Sequence, residues 1–297
     1  IFKYAGRRRL DRTALLTANY AAAVGVAGVL LALGGREVDG GLAADAGLVA
    51  LGVATGALLI FGFFVLALAT EVAGMSLAIG VMRVSVVVPF LASWAVWGEV
   101  PSPAQVVGLM LAGIAFFLIA HRERALPEPT SELATASVAA APEGEACATP
   151  EPKAGLRVFA VLALVFLAGG AVDVSMKAFE ETFGARNSRV LFLLLAFAVA
   201  FAIGLAVVLW NAWRTGRRPT REALGWGVVL GVVNYGSLEF ILRAIERLPG
   251  TFVFPVNNIA IVLFAALLGV YVWGERLTRA NRLGLGLAAL ALLLLNF

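Results

Sequence analysis

The sequence predicts an all-α polytopic membrane protein built from two inverted five-helix repeats, a ten-helix bundle of which nine spans are visible. Three observations predict it. The 297 residues are 61% hydrophobic and 14% charged, where a soluble domain is nearer half apolar and a quarter charged. The apolar residues gather in runs such as "VLFLLLAFAVAFAIGLAVVLW" (190–210), uncharged and long enough for the about 20 helical residues that cross a bilayer. One phrase also occurs twice: "VWGEVPSPAQVVGL" from Val96 and "VWGERLTRANRLGL" from Val272, 176 positions apart.

Lipid offers backbone amides no partner, so the spanning segments are helices, and the strict alternation of a barrel strand is missing from the chain. Spans are expected near 13–34, 46–69, 75–97, 103–120, 156–179, 188–212, 223–246, 251–273 and 279–297. Residues 121–154 are rich in Pro, Glu, Ala and Thr and cannot bury a core. They read as a flexible linker between a first repeat, 1–120 with four visible helices, and a second, 155–297 with five.

Loop charges set the orientation. Fourteen Lys or Arg, among them the run Arg7-Arg8-Arg9, fall in alternate loops on one face, against Arg36, Arg186, Arg189 and Arg247 on the other. The first face is assigned to the cytoplasm, the linker with it, and the C-terminus to the outside. The Glu99 phrase then lies outside and the Glu275 phrase inside. Repeats so related need an odd number of spans each, and five fits. At the same offset "LALATEVAGMS" (66–76) overlies "LRAIERLPGTF" (242–252). The span at 156–179 projects to before residue 1, so a further helix is expected there, ending at about Phe2-Lys3, where the second half has Met176-Lys177. Two similar halves inserted oppositely can exchange shapes, which is the architecture of alternating-access carriers. A duplicated scaffold without transport is the bland alternative.

Within the repeated phrase, Ser102 and Thr278 read as N-caps, Pro103 as the first helical residue, and Ser102 with Gln105 as a capping box. Glu99 and Glu275 sit in the turn before a helix N-terminus, where an anion is favourable, and read chiefly as structural turn residues. Gly108 and Gly284 are expected to permit close helix packing.

The stretches "FKYAGRRRLDRTALLTANY", "RVSVVVPFLASWAVWGE" and "LPGTFVFPVNNIAIVLFAALLGVYVWGE", with the glycines that follow the two Glu, carry a family likeness. The chain resembles the drug/metabolite transporter superfamily, in its EamA-like branch, over nearly its whole length except the linker. That resemblance implies ten helices in two inverted repeats and transport of amino acids, sugars, nucleotide-linked metabolites or drugs. The absent first helix and the long linker depart from the family pattern.

A charge at the centre of a membrane helix costs roughly 3 kcal/mol on insertion scales, so each one calls for a reason. Asp173 and Lys177, four apart, are expected either to pair with each other or to line a cavity, with Glu180 continuing their face. Gly169 and Gly170 before them permit a bend or tight packing. Tyr235, Glu239, Arg243 and Glu246 form one helical stripe with Asn234 beside it, which must face protein or water. Glu239, the deepest, is the candidate proton-accepting or amine-binding carboxylate. Pro255 precedes Asn257 and Asn258, whose amides can meet freed carbonyls, a neighbouring helix or a polar substrate. Arg83 either snorkels to the interface or binds an anionic substrate. Asn19-Tyr20 is a weaker polar pair.

These features predict a secondary carrier in the bacterial cytoplasmic (inner) membrane. Its substrate is a small polar or amphipathic molecule, with protons or a counter-substrate as possible partners besides the lipid bilayer. No cofactor, metal or nucleic-acid partner is expected: there is no Walker sequence, and the single Cys147 and single His121 lie in the polar stretch. Two other readings compete, an intramembrane enzyme using acidic residues such as Asp173 and Glu239, and a broad-range exporter of small drugs.

Overall fold

The computed structural model describes residues 11–34, 45–73, 75–120, 152–216, 219–273 and 279–295. Glu275, Thr278, Phe2-Lys3 and nearly all of the linker lie outside them. Among the described residues the regular structure is helical: α1 Arg12–Gly34, α2 Ala46–Val72, α3 Met75–Val84, α4 Val87–Trp97, α5 Pro103–Ala120, α6 Pro152–Phe183, α7 Arg189–Thr215, α8 Arg221–Arg247, α9 Gly250–Trp273 and α10 Arg279–Leu294. Among the described residues six stretches are long and apolar enough to cross a membrane, in α1, α2, α3–α4, α6, α7 and α8, while α5, α9 and α10 hold shorter apolar segments.

The outer surface of the bundle agrees with a lipid environment. Phe159 and Leu167 on α6, Leu209 on α7, Phe240 on α8 and Met110 on α5 are all exposed. A soluble chain rarely bares apolar surface on so many sides. At the end of α7, Trp210 and Trp213 lie 5.5 Å apart and the Arg214 guanidinium sits 5.6 Å from the Trp210 ring, the amphipathic chemistry of a membrane interface.

Local chemistry sets the helix ends. The Asp11 carboxylate accepts the Thr13 and Ala14 N–H groups, and Thr220 Oγ1 accepts that of Ala223. The expected capping box forms: Gln105 N–H donates to Ser102 Oγ at 3.2 Å and Ser102 N–H to Gln105 Oε1 at 3.1 Å. Ser102→Ala therefore removes a formed cap and is expected to lower stability by about 1 kcal/mol, read as a shift of the unfolding midpoint in detergent. Gly98 and Gly216 end α4 and α7 with φ of 70° and 66°, the left-handed cap that favours glycine.

One predicted span is broken. Residues 75–97 form two helices with a break at Ser85-Val86. Pro89 is the cause: its ring would strike the carbonyl four residues back, that of Ser85, in a continuous helix. The chain tightens instead, Val88 N–H reaching Ser85 O at 2.9 Å, while Ser85 Oγ donates to Met82 O at 2.6 Å. Gly169 and Gly170 of α6 fill the space beside this break. A Cβ at Gly169 would meet Ser85 Oγ and one at Gly170 the Val88 side chain. The two glycines thus serve packing; α6 runs unbroken past them.

Small residues decide which helices touch. α8 lies along α1 more extensively than any other pair, with Gly227 against Leu15 O and Gly231 against Asn19 O. α2 lies along α7, with Gly52 against Leu195 and Gly56 against Ala196 O and Val199. α5 packs on α10, and Gly108 is the contact, a Cβ there falling 3.1 Å from Ala291 O. Gly284 is buried on α10. Helices joined this way gain dispersion and close backbone approach, which suits an apolar solvent that gives no hydrophobic drive. A central core of Phe179, Phe192, Phe197, Tyr235, Leu242 and Phe254 fills the space between, the first two rings stacked at 4.4 Å.

Candidate functional site

Among the described residues, polar side chains inside the bundle gather in three places. The first is at the bundle end that carries the α6–α7 turn. Lys177 of α6 is 2% exposed, and its Nζ lies 2.5 Å from both Glu99 Oε1 and Glu181 Oε1. The other Glu99 oxygen accepts the Thr251 N–H at 3.0 Å, at the first turn of α9. One carboxylate therefore joins the α4–α5 turn to α6 and α9, using both a cation and a helix N-terminus. Close by, Arg189 Nη1 meets Glu246 Oε2 at 2.5 Å, tying the start of α7 to the end of α8. Glu180 is half-buried within electrostatic reach of Glu246, Arg189, Lys177 and Glu181.

This corrects two sequence expectations. Lys177 does not pair with Asp173; it reaches one turn the other way, to Glu181, and across the bundle to Glu99. The i, i+4 rule offers both neighbours equally, and the deeper Asp173 has another partner. Glu99 does more than shape the turn before α5. It caps α9, a helix 152 positions on. Local spacing cannot reveal that, because the following helix is already capped by Ser102 and Gln105.

The second cluster is deeper and joins three helices. Arg83 of α3 donates from Nη1 to Asn258 Oδ1 of α9 at 3.4 Å and lies within electrostatic reach of Asp173 on α6. Asn258 Nδ2 in turn donates to Phe254 O at 3.1 Å, a bond within its own helix and not to the carbonyl that Pro255 frees, which is that of Thr251 four residues back. Asn257 is half-buried on the adjacent face. Arg83 does not snorkel; it turns inward, because Asp173 and Asn258 give it partners there.

The third lies on α8. Asn234 Nδ2 donates to Asn19 Oδ1 at 3.3 Å, a bond across the glycine-lined contact with α1. Tyr235 and Glu239 are buried, 3% and 9% exposed, whereas Arg243 and Glu246 emerge towards the surface. Arg243 Nε donates to Glu239 Oε1 at 2.9 Å. Tyr20 donates to Leu59 O at 3.4 Å, and its ring and that of Tyr235 each lie 6.2 Å from Phe197. The stripe is thus buried in its deep half only.

Two sets of residues are missing from the sequence reading, although the i, i+4 spacing of Lys177 and Glu181 is visible in the sequence. Glu181 and Ser93 belong to the first cluster, the Ser93 hydroxyl lying where a Cβ on Gly250 would go. The pairs Gly52/Gly56 and Gly227/Gly231 set the helix contacts, and their small-xxx-small spacing is visible in the sequence. Among the described residues no group of three or more His, Cys, Asp or Glu could hold a metal ion.

No family model matches the chain. It is 24% identical over 235 residues to an uncharacterized protein of Haemophilus influenzae, in an alignment covering 78% of this chain and 70% of that relative.

Proposed function

We propose that this chain is a secondary carrier for a small polar or amphipathic molecule, working by alternating access between two inverted repeats in the cytoplasmic membrane. One observation carries the reading: the same helix contacts are built twice. Adding 176 to the starts of α1, α2, α3 and α5 (12, 46, 75 and 103) gives 188, 222, 251 and 279. The helices α7, α8, α9 and α10 begin at 189, 221, 250 and 279. Exchanging the halves turns the α1–α8 contact into the α7–α2 contact. Both are present, and in both a glycine of the second partner sits on a backbone carbonyl: Gly231 on Asn19 O, Gly56 on Ala196 O. The α5–α10 and α1–α7 contacts map onto themselves. On this reading α1 and its counterpart α7 are set five spans apart (α1, α2, α3–α4, α5 and α6), an odd number that would turn the halves upside down, as expected of carriers whose cavity lies between repeats.

On this reading the Glu99–Lys177–Thr251 cluster is the closed external gate, since it joins the first half to the second through a bond that must break for that end to open. The Arg83, Asp173 and Asn258 cluster, again drawn from both halves, sits near mid-depth where cargo would pass. Glu239 is the carboxylate that takes up cargo or proton. The likeness to the EamA-like branch of the drug/metabolite transporters is consistent with this assignment and narrows the cargo no further.

Two measurements test it. Single cysteines at Val100→Cys and Leu277→Cys, each in a Cys147→Ser background, are expected to label from opposite sides of the cell membrane with an impermeant maleimide. Labelling from one side would end the inverted reading. Proteoliposomes holding the full chain are expected to accumulate at least one compound from a panel of amino acids, sugars and amines, saturably and dependent on Glu239. A panel that yields no saturable flux would leave a scaffold without transport.

A further inference from the structure

We propose that the buried face of α8 at Tyr235 and Glu239 is a binding site for a protonated organic amine. The inference deepens the carrier reading and rests on it only for what happens to the amine once bound. Tyr235 and Glu239 stand one helical turn apart, within electrostatic reach of each other. Tyr235 Oη and Glu239 Oε2 are enclosed and have no hydrogen-bond partner among the described residues. Burying such groups unmatched is unfavourable, most of all for a carboxylate, so the arrangement is completed by something that binds there.

The surroundings say what. Glu239 Oε1 is held by Arg243, whose side chain is 59% exposed. That pair is screened by solvent and balances the carboxylate only from its outer side. Within the bundle stand an enclosed, unpartnered carboxylate oxygen, a phenol oxygen in the same condition and the ring series Tyr20–Phe197–Tyr235. Carboxylate oxygen and ring faces alike carry negative potential and attract a cation. An ammonium group donates to Glu239 Oε2 and to Tyr235 Oη, and an apolar body lies along the rings. A carboxylate ligand would meet Glu239 with like charge, and a neutral alcohol would supply one weaker donor where an ammonium supplies up to three.

The test uses the purified full chain in detergent and three probes: benzylamine, 2-phenylethylamine and, as the neutral isostere of the latter, 2-phenylethanol. Calorimetric titration is expected to give saturable binding of at least one amine and at least about tenfold weaker binding of the alcohol, the difference one charge-assisted hydrogen bond makes. Glu239→Gln is expected to weaken the amine by about tenfold or more, and Tyr235→Phe, which keeps the ring, by a few-fold. Glu71→Gln, exposed at the end of α2, serves as the control with unchanged affinity. If Glu239→Gln does not yield folded protein, the amine–alcohol comparison and Tyr235→Phe still decide. No saturable amine binding up to about 10 mM, equal binding of 2-phenylethanol, or an unchanged Glu239→Gln affinity would overturn the site. Binding is read without transport. A chain that binds amines and moves nothing keeps the site and loses the carrier; one that moves sugars and ignores amines keeps the carrier and loses the site.

Discussion

Lys177→Met is expected to destabilise the protein by about 3 kcal/mol, a fall in melting temperature of roughly 6–10 °C in detergent. The side chain is 2% exposed and its ammonium holds two carboxylates. Methionine fills nearly the same volume, so the loss is electrostatic rather than a cavity. Removing the cation leaves Glu99 enclosed, 17% exposed, with the Thr251 N–H as its remaining partner. Breaking a buried pair from one side typically costs 3–5 kcal/mol, and the residual access of Glu99 places this case at the low end. Glu99→Gln is milder, about 1–2 kcal/mol, because Lys177 keeps Glu181 and a glutamine oxygen can still accept from Thr251. Glu181→Gln loses only a half-exposed i, i+4 pair, about 0.5 kcal/mol. The double variant Lys177→Met/Glu99→Gln should recover part of the single Lys177→Met loss, because it no longer strands a charge. Thermal melts of the four variants read the order directly. Equal effects of Lys177→Met and Glu181→Gln would show that Glu99 contributes nothing. The same series bears on gating: if this cluster closes one end, Glu99→Gln should raise labelling of a cysteine placed at Ser93, which is buried in the closed end.

The helices were legible because each carries its own signal, an apolar run or a capping residue; the break that Pro89 makes in the 75–97 span was not read. Ser102 with Gln105, four residues in all, contains the whole reason α5 starts where it does, and no other part of the chain need be known. The repeated phrase was legible for the same reason, as two strings can be compared without folding either. Partnership across the bundle is a different kind of fact. Lys177 has carboxylates four residues to either side in sequence, and only the approach of the α4–α5 turn decides between them. Arg83 has no acidic residue within helical reach on its own element, so its inward turn towards Asp173 depends on how α3 and α6 are set together. The glycines that set helices together were in plain view at Gly52, Gly56, Gly227 and Gly231. A reading that looks for charges passes over residues whose contribution is the absence of a side chain.

Those glycines give the second large effect, and its sign changes along a single helix. Gly231→Ala on α8 puts a methyl group onto the Asn19 carbonyl and within 2.7 Å of the Ala22 Cβ. Neither neighbour is the free end of a flexible side chain, so the helices must part along their closest contact. Overpacking of this kind costs about 1–3 kcal/mol, and here the Asn19–Asn234 bond, a 3.3 Å contact across the same seam, is lost with it. Against this stands the better helix propensity of alanine, about 1 kcal/mol. The steric term wins, and Gly231→Ala should lower the unfolding midpoint. Gly236→Ala, five residues further along α8, meets nothing within 4 Å. There only the propensity remains, so the same substitution should be neutral or stabilising by up to about 1 kcal/mol. Gly56→Ala on α2 meets Ala196 O and the Val199 Cβ much as Gly231→Ala meets Asn19 O and the Ala22 Cβ. On the proposed two-repeat reading the seams share one plan and should fail alike, so the Gly56 and Gly231 variants are expected to lose similar stability; without that reading the two losses have no reason to match. Denaturant unfolding of the three variants separates the cases: a loss at Gly236 equal to that at Gly231 removes the steric argument, and a harmless Gly56→Ala removes the correspondence between the seams.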